Sequence, residues 1–236
     1  MTVDAVRCPA AASTMLSAAG LLALVGCAWR LIAAGDGRDI LWVELTVAAT
    51  VSGCAALGWL RSARVGITAP QVMLLLGAAG MVGGLACDAR AGGFDALASL
   101  CLAGSGDFLD TLRLHWRQLP AMHLGMIVGG LAAVPLLRVF RPGCRRQLCA
   151  RLGQNLACSA WMVVGMTAGT LVFMNLAAWA GTRSPAAMLG GMFGGMVWAM
   201  VVSVSLYRHW FLIIDQRSRA PRGLRGWTWT ARIFRF

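Results

Sequence analysis

Long apolar runs separated by short charged stretches dominate the chain. They cover about 13–34, 40–60, 66–87, 118–140, 155–181 and 188–207. Each is close to the roughly 20 residues that a helix needs to cross a hydrocarbon core. Barrel strands would be about half as long and would alternate in polarity. The pattern predicts an all-α membrane protein, a bundle of about six transmembrane helices spanning 1–215, followed by a basic, aromatic tail over 216–236.

The longest stretch between runs, 88–117, has its own periodicity. Ser105-Gly106-Asp107 reads as a helix start with Asp110 in the first turn. Phe108, Leu109, Leu112 and Trp116 then recur at helical spacing, while Asp110, Arg113 and Arg117 fall off that face. This predicts a short amphipathic helix lying on the outer membrane surface. Pro120 marks the turn into the fourth span.

Charge adds orientation. The chain has 236 residues, 58% of them hydrophobic and only 13% charged, and a mean hydropathy of +0.70. Its net charge is +12, and all 21 cations are Arg. With the N-terminus inside, Arg7, Arg61, Arg64, Arg138, Arg141, Arg145, Arg146, Arg151 and the tail arginines are all cytoplasmic. The outer arginines are diluted by Asp36, Asp39, Asp88, Asp95, Asp107 and Asp110. Both termini are therefore expected in the cytoplasm. Arg without Lys, beside abundant Ala and Gly, suits a GC-rich bacterial genome and hence an inner membrane. Arginines at the ends of apolar runs point to anionic lipid headgroups rather than nucleic acid. A second copy of the chain or a subunit of a membrane complex is the other candidate partner.

A Gly-Met pattern recurs in four spans: Gly80-Met81, Gly125-Met126, Gly165-Met166 and Gly191-Met192. Each copy contains or overlaps a Gly-xxx-Gly step, which lets helix backbones approach closely. Gly83, Gly84, Gly129, Gly194 and Gly195 are expected to face other helices. The copies in the third and sixth spans match best, as an old three-plus-three duplication would leave them.

Met188, Met192, Met196 and Met200 form a stripe on one helix face, and Met122 and Met126 repeat this beside His123. Thioether and imidazole together select soft metals such as Cu(I). The competing expectation is that Met simply fills gaps beside Gly. The candidate copper site is His123, Met122, Met126, Met188 and Met192. His123 lies about 100° around its helix from Met122, which works against a shared point.

Arg30 and Glu44 flank the 35–39 hairpin symmetrically and are expected to meet as an intramembrane ion pair. Glu44, Asn155 and Asn175 are the polar groups that a transport route could use. Leu24-Val25-Gly26-Cys27 has the form of a lipoprotein signal-peptidase box, but the apolar run continues past Cys27, so a plain first span is expected. Cys27, Cys54 and Cys158 should pack as small apolar residues, Cys87 and Cys101 sit where a disulfide is allowed, and Cys144 and Cys149 are loosely spaced for zinc.

No metalloprotease, phosphate-loop or dinucleotide motif is present. Gly104-Ser105-Gly106 is similar to the serine motif of rhomboid proteases, but Ser105 falls in a loop and the helix His partner is missing. The expectation is a non-enzymatic bundle that handles a small substrate or soft metal at its outer side. A structural or assembly subunit is the alternative.

Overall fold

The computed structural model describes residues 10–32, 39–60, 69–92, 99, 107–140 and 148–219, and within them all regular structure is helical. We label the helices α1 (Ala10–Leu31), α2 (Ile40–Trp59), α3 (Ala69–Gly92), α4 (Phe108–Gln118), α5 (Pro120–Phe140), α6 (Leu148–Trp179) and α7 (Pro185–Arg219). Five of them, α1, α2, α3, α6 and α7, are long and apolar enough to cross a membrane. In α5 the apolar stretch over described residues is Pro120–Ala133. Ser105, Cys101 and Cys144 lie outside the described residues, as does the tail beyond 219.

Glycine sets the packing. A methyl group at Gly80 would meet the Gly125 carbonyl, one at Gly84 the Ala121 carbonyl, and one at Gly129 the Leu76 carbonyl. These pairs run in opposite directions along the chain, so α3 and α5 are antiparallel and in backbone contact. The same holds for α6 and α7: Gly165 meets Gly195, and Gly169 meets Gly191. Without side chains on either wall, dispersion contacts form between the backbones themselves. The four Gly-Met copies thus lie in two seams, α3 with α5 and α6 with α7.

One of the expected glycines faces elsewhere. Gly84, Gly129 and Gly195 lie in the seams, and Gly194 faces α2, where an added methyl would sit 3.2 Å from the Ala49 methyl. Gly83 is exposed and meets nothing within 4 Å. It follows from the helix turn: with Gly80 and Gly84 in the seam, Gly83 lies about 100° away from Gly84.

The central helix is α7. In its most apolar window 78% of residues are buried, against 28–39% in the other four long spans. Its Gly191 and Gly195 face α6; Gly190, Gly194 and Val197 face Thr46, Ala49 and Gly53 of α2. The α2 contacts rise together in number, so α2 and α7 are parallel. Met188, Met192, Met196 and Met200 occupy the remaining sector and are all buried.

Helix ends are closed by specific devices. Between α6 and α7, the Thr182 N–H donates to the Ala177 carbonyl and the Gly181 N–H to that of Ala178, with Gly181 at φ 66°. This is a Schellman stop, where glycine avoids the Cβ penalty. Ser184 Oγ then accepts from the Ala187 N–H at 3.2 Å, and Pro185 takes the first helical position. Arg208 donates to the Leu60 carbonyl at 3.2 Å, closing α2 from α7.

The surface is apolar where a soluble protein would be polar. Val128, Val172, Leu124 and Met15 are all exposed. Trp59 and Trp179 stand out at 86% and 87% exposure, at the C-terminal ends of α2 and α6. Those helices run in opposite directions, so the two indoles mark opposite ends of the bundle, as membrane-boundary tryptophans do.

Candidate functional site

The site is built where α3 ends and α5 begins. Asp88, in the last turns of α3, reaches across to the start of α5. One carboxylate oxygen accepts from the Ala121 N–H at 3.1 Å and the other from the Met122 N–H at 2.8 Å. These are among the first-turn amides that a helix cannot satisfy itself, and a carboxylate there also meets the positive end of the helix dipole.

One residue on, His123 is fully buried. Its Nδ1 lies 2.8 Å from the Leu119 carbonyl oxygen. A carbonyl only accepts, so Nδ1 carries the proton. In the neutral ring Nε2 then holds a lone pair, and this atom is buried with no hydrogen-bond partner.

Helix α4 supplies the second imidazole. Asp107 caps it, with its side chain accepting from the Phe108 N–H at 3.1 Å. The helix packs against α5 and α6. The face turned inward is Thr111 and His115, whereas Leu109 and Trp116 are exposed. Asp110 and Arg113 form an exposed pair at 3.6 Å. His115 is 2% exposed, its ring centroid is 6.2 Å from that of His123, and its Nδ1 is buried without a partner. Burial, and then the neighbouring His123, push its pKa down to about 4, so it is neutral at physiological pH. The Trp116 ring lies 5.1 Å from His123.

Beneath the histidines lies a methionine core. Met73, Met81, Met122, Met126, Met162, Met166, Met188, Met192, Met196 and Met200 are all at most 2% exposed and belong to one cluster. The Gly-Met dipeptides explain this. When Gly sits in a backbone seam, the next residue points about 100° around the helix. Met81, Met126, Met166 and Met192 all follow a seam glycine, and all are fully buried.

The five candidate ligands divide between two helix surroundings. His123, Met122 and Met126 lie on α5, which packs on α3, α4 and α6. Met188 and Met192 lie on α7, which packs on α6, α2, α3 and α1 and makes little direct contact with α5. They share the core, but no helix pair joins them. Among the described residues no three His, Cys, Asp or Glu side chains come together, so a metal held here by three ligands would draw on thioethers.

Arg30 and Glu44 are both exposed and form no ion pair with each other. The symmetric spacing fixes their depth but not their azimuth, and both turn outward. Of the transport-type groups, Asn155 is buried, while Glu44 and Asn175 are exposed. Cys54 and Cys158 are buried, Cys27 is exposed, and Cys87 is an exposed free thiol.

Neither His115 nor Asp88 is among the site residues that the sequence pattern picks out. The usable signal is His115 and Leu119, eight and four residues before His123, interrupted by Pro120. The chain matches no protein-family model, no curated protein and no solved structure.

Proposed function

We propose that this chain is a bacterial inner-membrane protein of six spans, α5 joining the five long apolar helices as the fourth in chain order, that binds and handles a soft metal ion of the Cu(I) class at its outer side. Both termini are cytoplasmic, and the Asp88 end faces outward. The observation that carries the reading is His123: a buried, unpartnered Nε2 lone pair beside a sealed core of ten methionines. Neutral thioether and imidazole ligands suit a soft monovalent ion in a region of low dielectric, where fixed carboxylates would be costly.

A second reading, a structural or assembly subunit, is supported by the tight glycine seams and by the scarcity of buried charge. Among the described residues, the buried polar groups apart from Asp39, at 9% exposure, are uncharged. Titration of the purified protein with Cu(I) against a competing chelator separates the two. Stoichiometric binding that weakens in Met126→Leu supports metal handling. Failure to compete, in protein that is folded, supports the structural reading.

A further inference from the structure

We propose that His115 and His123 together form a two-imidazole docking point for Cu(I) beneath α4, with the Met126 thioether as third ligand. This deepens the soft-metal reading and rests on it, but it adds a ligand from a helix outside the spans and fixes which ring atoms bind.

The tautomers point to the donor atoms. His123 spends its one N–H on the Leu119 carbonyl, so only Nε2 can bind a metal. The backbone acceptor does for it what a second-shell partner does for metal-bound histidines, holding the ring orientation and its proton. His115 offers Nδ1, which is also buried and unpartnered. Leaving two ring nitrogens in apolar surroundings is unfavourable, and buried orphans of this kind ask for an occupant.

The spacing fits one ion between the rings. With metal–nitrogen bonds of about 2.0–2.1 Å, two imidazoles on a shared metal place their centroids roughly 5–6.5 Å apart, from a bent to a linear arrangement. The observed separation is 6.2 Å, with the rings inclined at 45°. Met126 is three residues beyond His123, about 60° around the helix and on the same buried side, whereas Met122 is about 100° away. Trp116 lies against His123 and screens it from solvent. Asp88, held at the start of α5, adds a negative charge near the mouth of the site.

The ion would also join α4 to α5. That consequence gives a readout independent of affinity: amides of α4 should exchange more slowly when the site is filled.

The test uses the full chain in detergent under reducing conditions. Cu(I) affinity is measured by chelator competition for wild type, His115→Gln, His123→Gln and Met126→Leu, with hydrogen exchange of 108–118 and X-ray absorption of the bound copper. Outer-shell changes already cost about 10–100-fold in metal affinity, so loss of either imidazole should weaken binding at least roughly tenfold. Copper should show nitrogen and sulfur neighbours together, and exchange in α4 should slow with Cu(I) in wild type only. If His115→Gln binds as tightly as wild type, or the copper sees sulfur alone, the histidine pair is refuted while the soft-metal reading stands. If folded wild type binds no Cu(I), both fall.

Discussion

Asp88 and Met122 are 34 residues apart in sequence and joined by a 2.8 Å hydrogen bond from the Met122 N–H to the Asp88 carboxylate. With the second bond to Ala121, one side chain of α3 caps α5 and sets the depth of His123 against α3. Asp88→Ala should therefore destabilise the protein by roughly 1–2 kcal/mol. Asp88→Asn, which keeps one acceptor, should cost less. Thermal unfolding in detergent checks both, and equal stability of Asp88→Ala and wild type would remove the cap from the account.

The glycine seams predict a contrast within one residue type. Gly195→Leu drives a side chain into the Gly165 backbone and should destabilise by several times the roughly 1–3 kcal/mol typical of overpacking. Gly83→Ala fills open space on an exposed helix surface and should be neutral or stabilise by up to about 1 kcal/mol. Unfolding midpoints of the two variants decide the matter; a Gly83→Ala as damaging as Gly195→Leu would show the seams misplaced.

His115 predicts a pH effect of known sign. Its pKa is about 6.5 when solvated and about 4 when folded. The unfolded chain therefore binds a proton that the folded chain refuses, and stability falls as pH drops from about 6.5 towards 4. The full effect is on the order of 3 kcal/mol. His115→Gln should flatten this part of the stability profile relative to wild type. Parallel profiles for the two proteins between those pH values would mean that His115 is not sealed.

Five long spans were legible because apolar length alone decides whether a helix suits a bilayer. The details that failed were azimuthal. Gly83 and Gly84 are equivalent in a motif, and only the seam partner distinguishes them. For α4 the apolar spacing predicts a helix on the membrane surface but does not say what its other face meets. Thr111 and His115 are buried against the bundle, while Leu109 and Trp116 are exposed. Asp88 escaped notice because its partners are backbone amides, which carry no sequence signature.

Topology has its own test. Reporter fusions at residue 146 and beyond 220 should report from the cytoplasm, and a fusion near 105 from the outer side, because Arg-rich short loops resist translocation. An outer-side signal at Arg146 would invert the bundle and place the histidines on the cytoplasmic face.

The methionine core and its histidines are proposed to bind a soft ion. Ag(I), which shares the ligand preference of Cu(I) without its redox chemistry, tests this through stability alone. A ligand present at about 100 times its Kd stabilises the native state by about 2.7 kcal/mol, so Ag(I) should raise the melting temperature of wild type by several degrees. The rise should shrink in Met126→Leu, a substitution that conserves volume but removes the sulfur. No rise in wild type, or an equal rise in Met126→Leu and His123→Gln, would contradict the account.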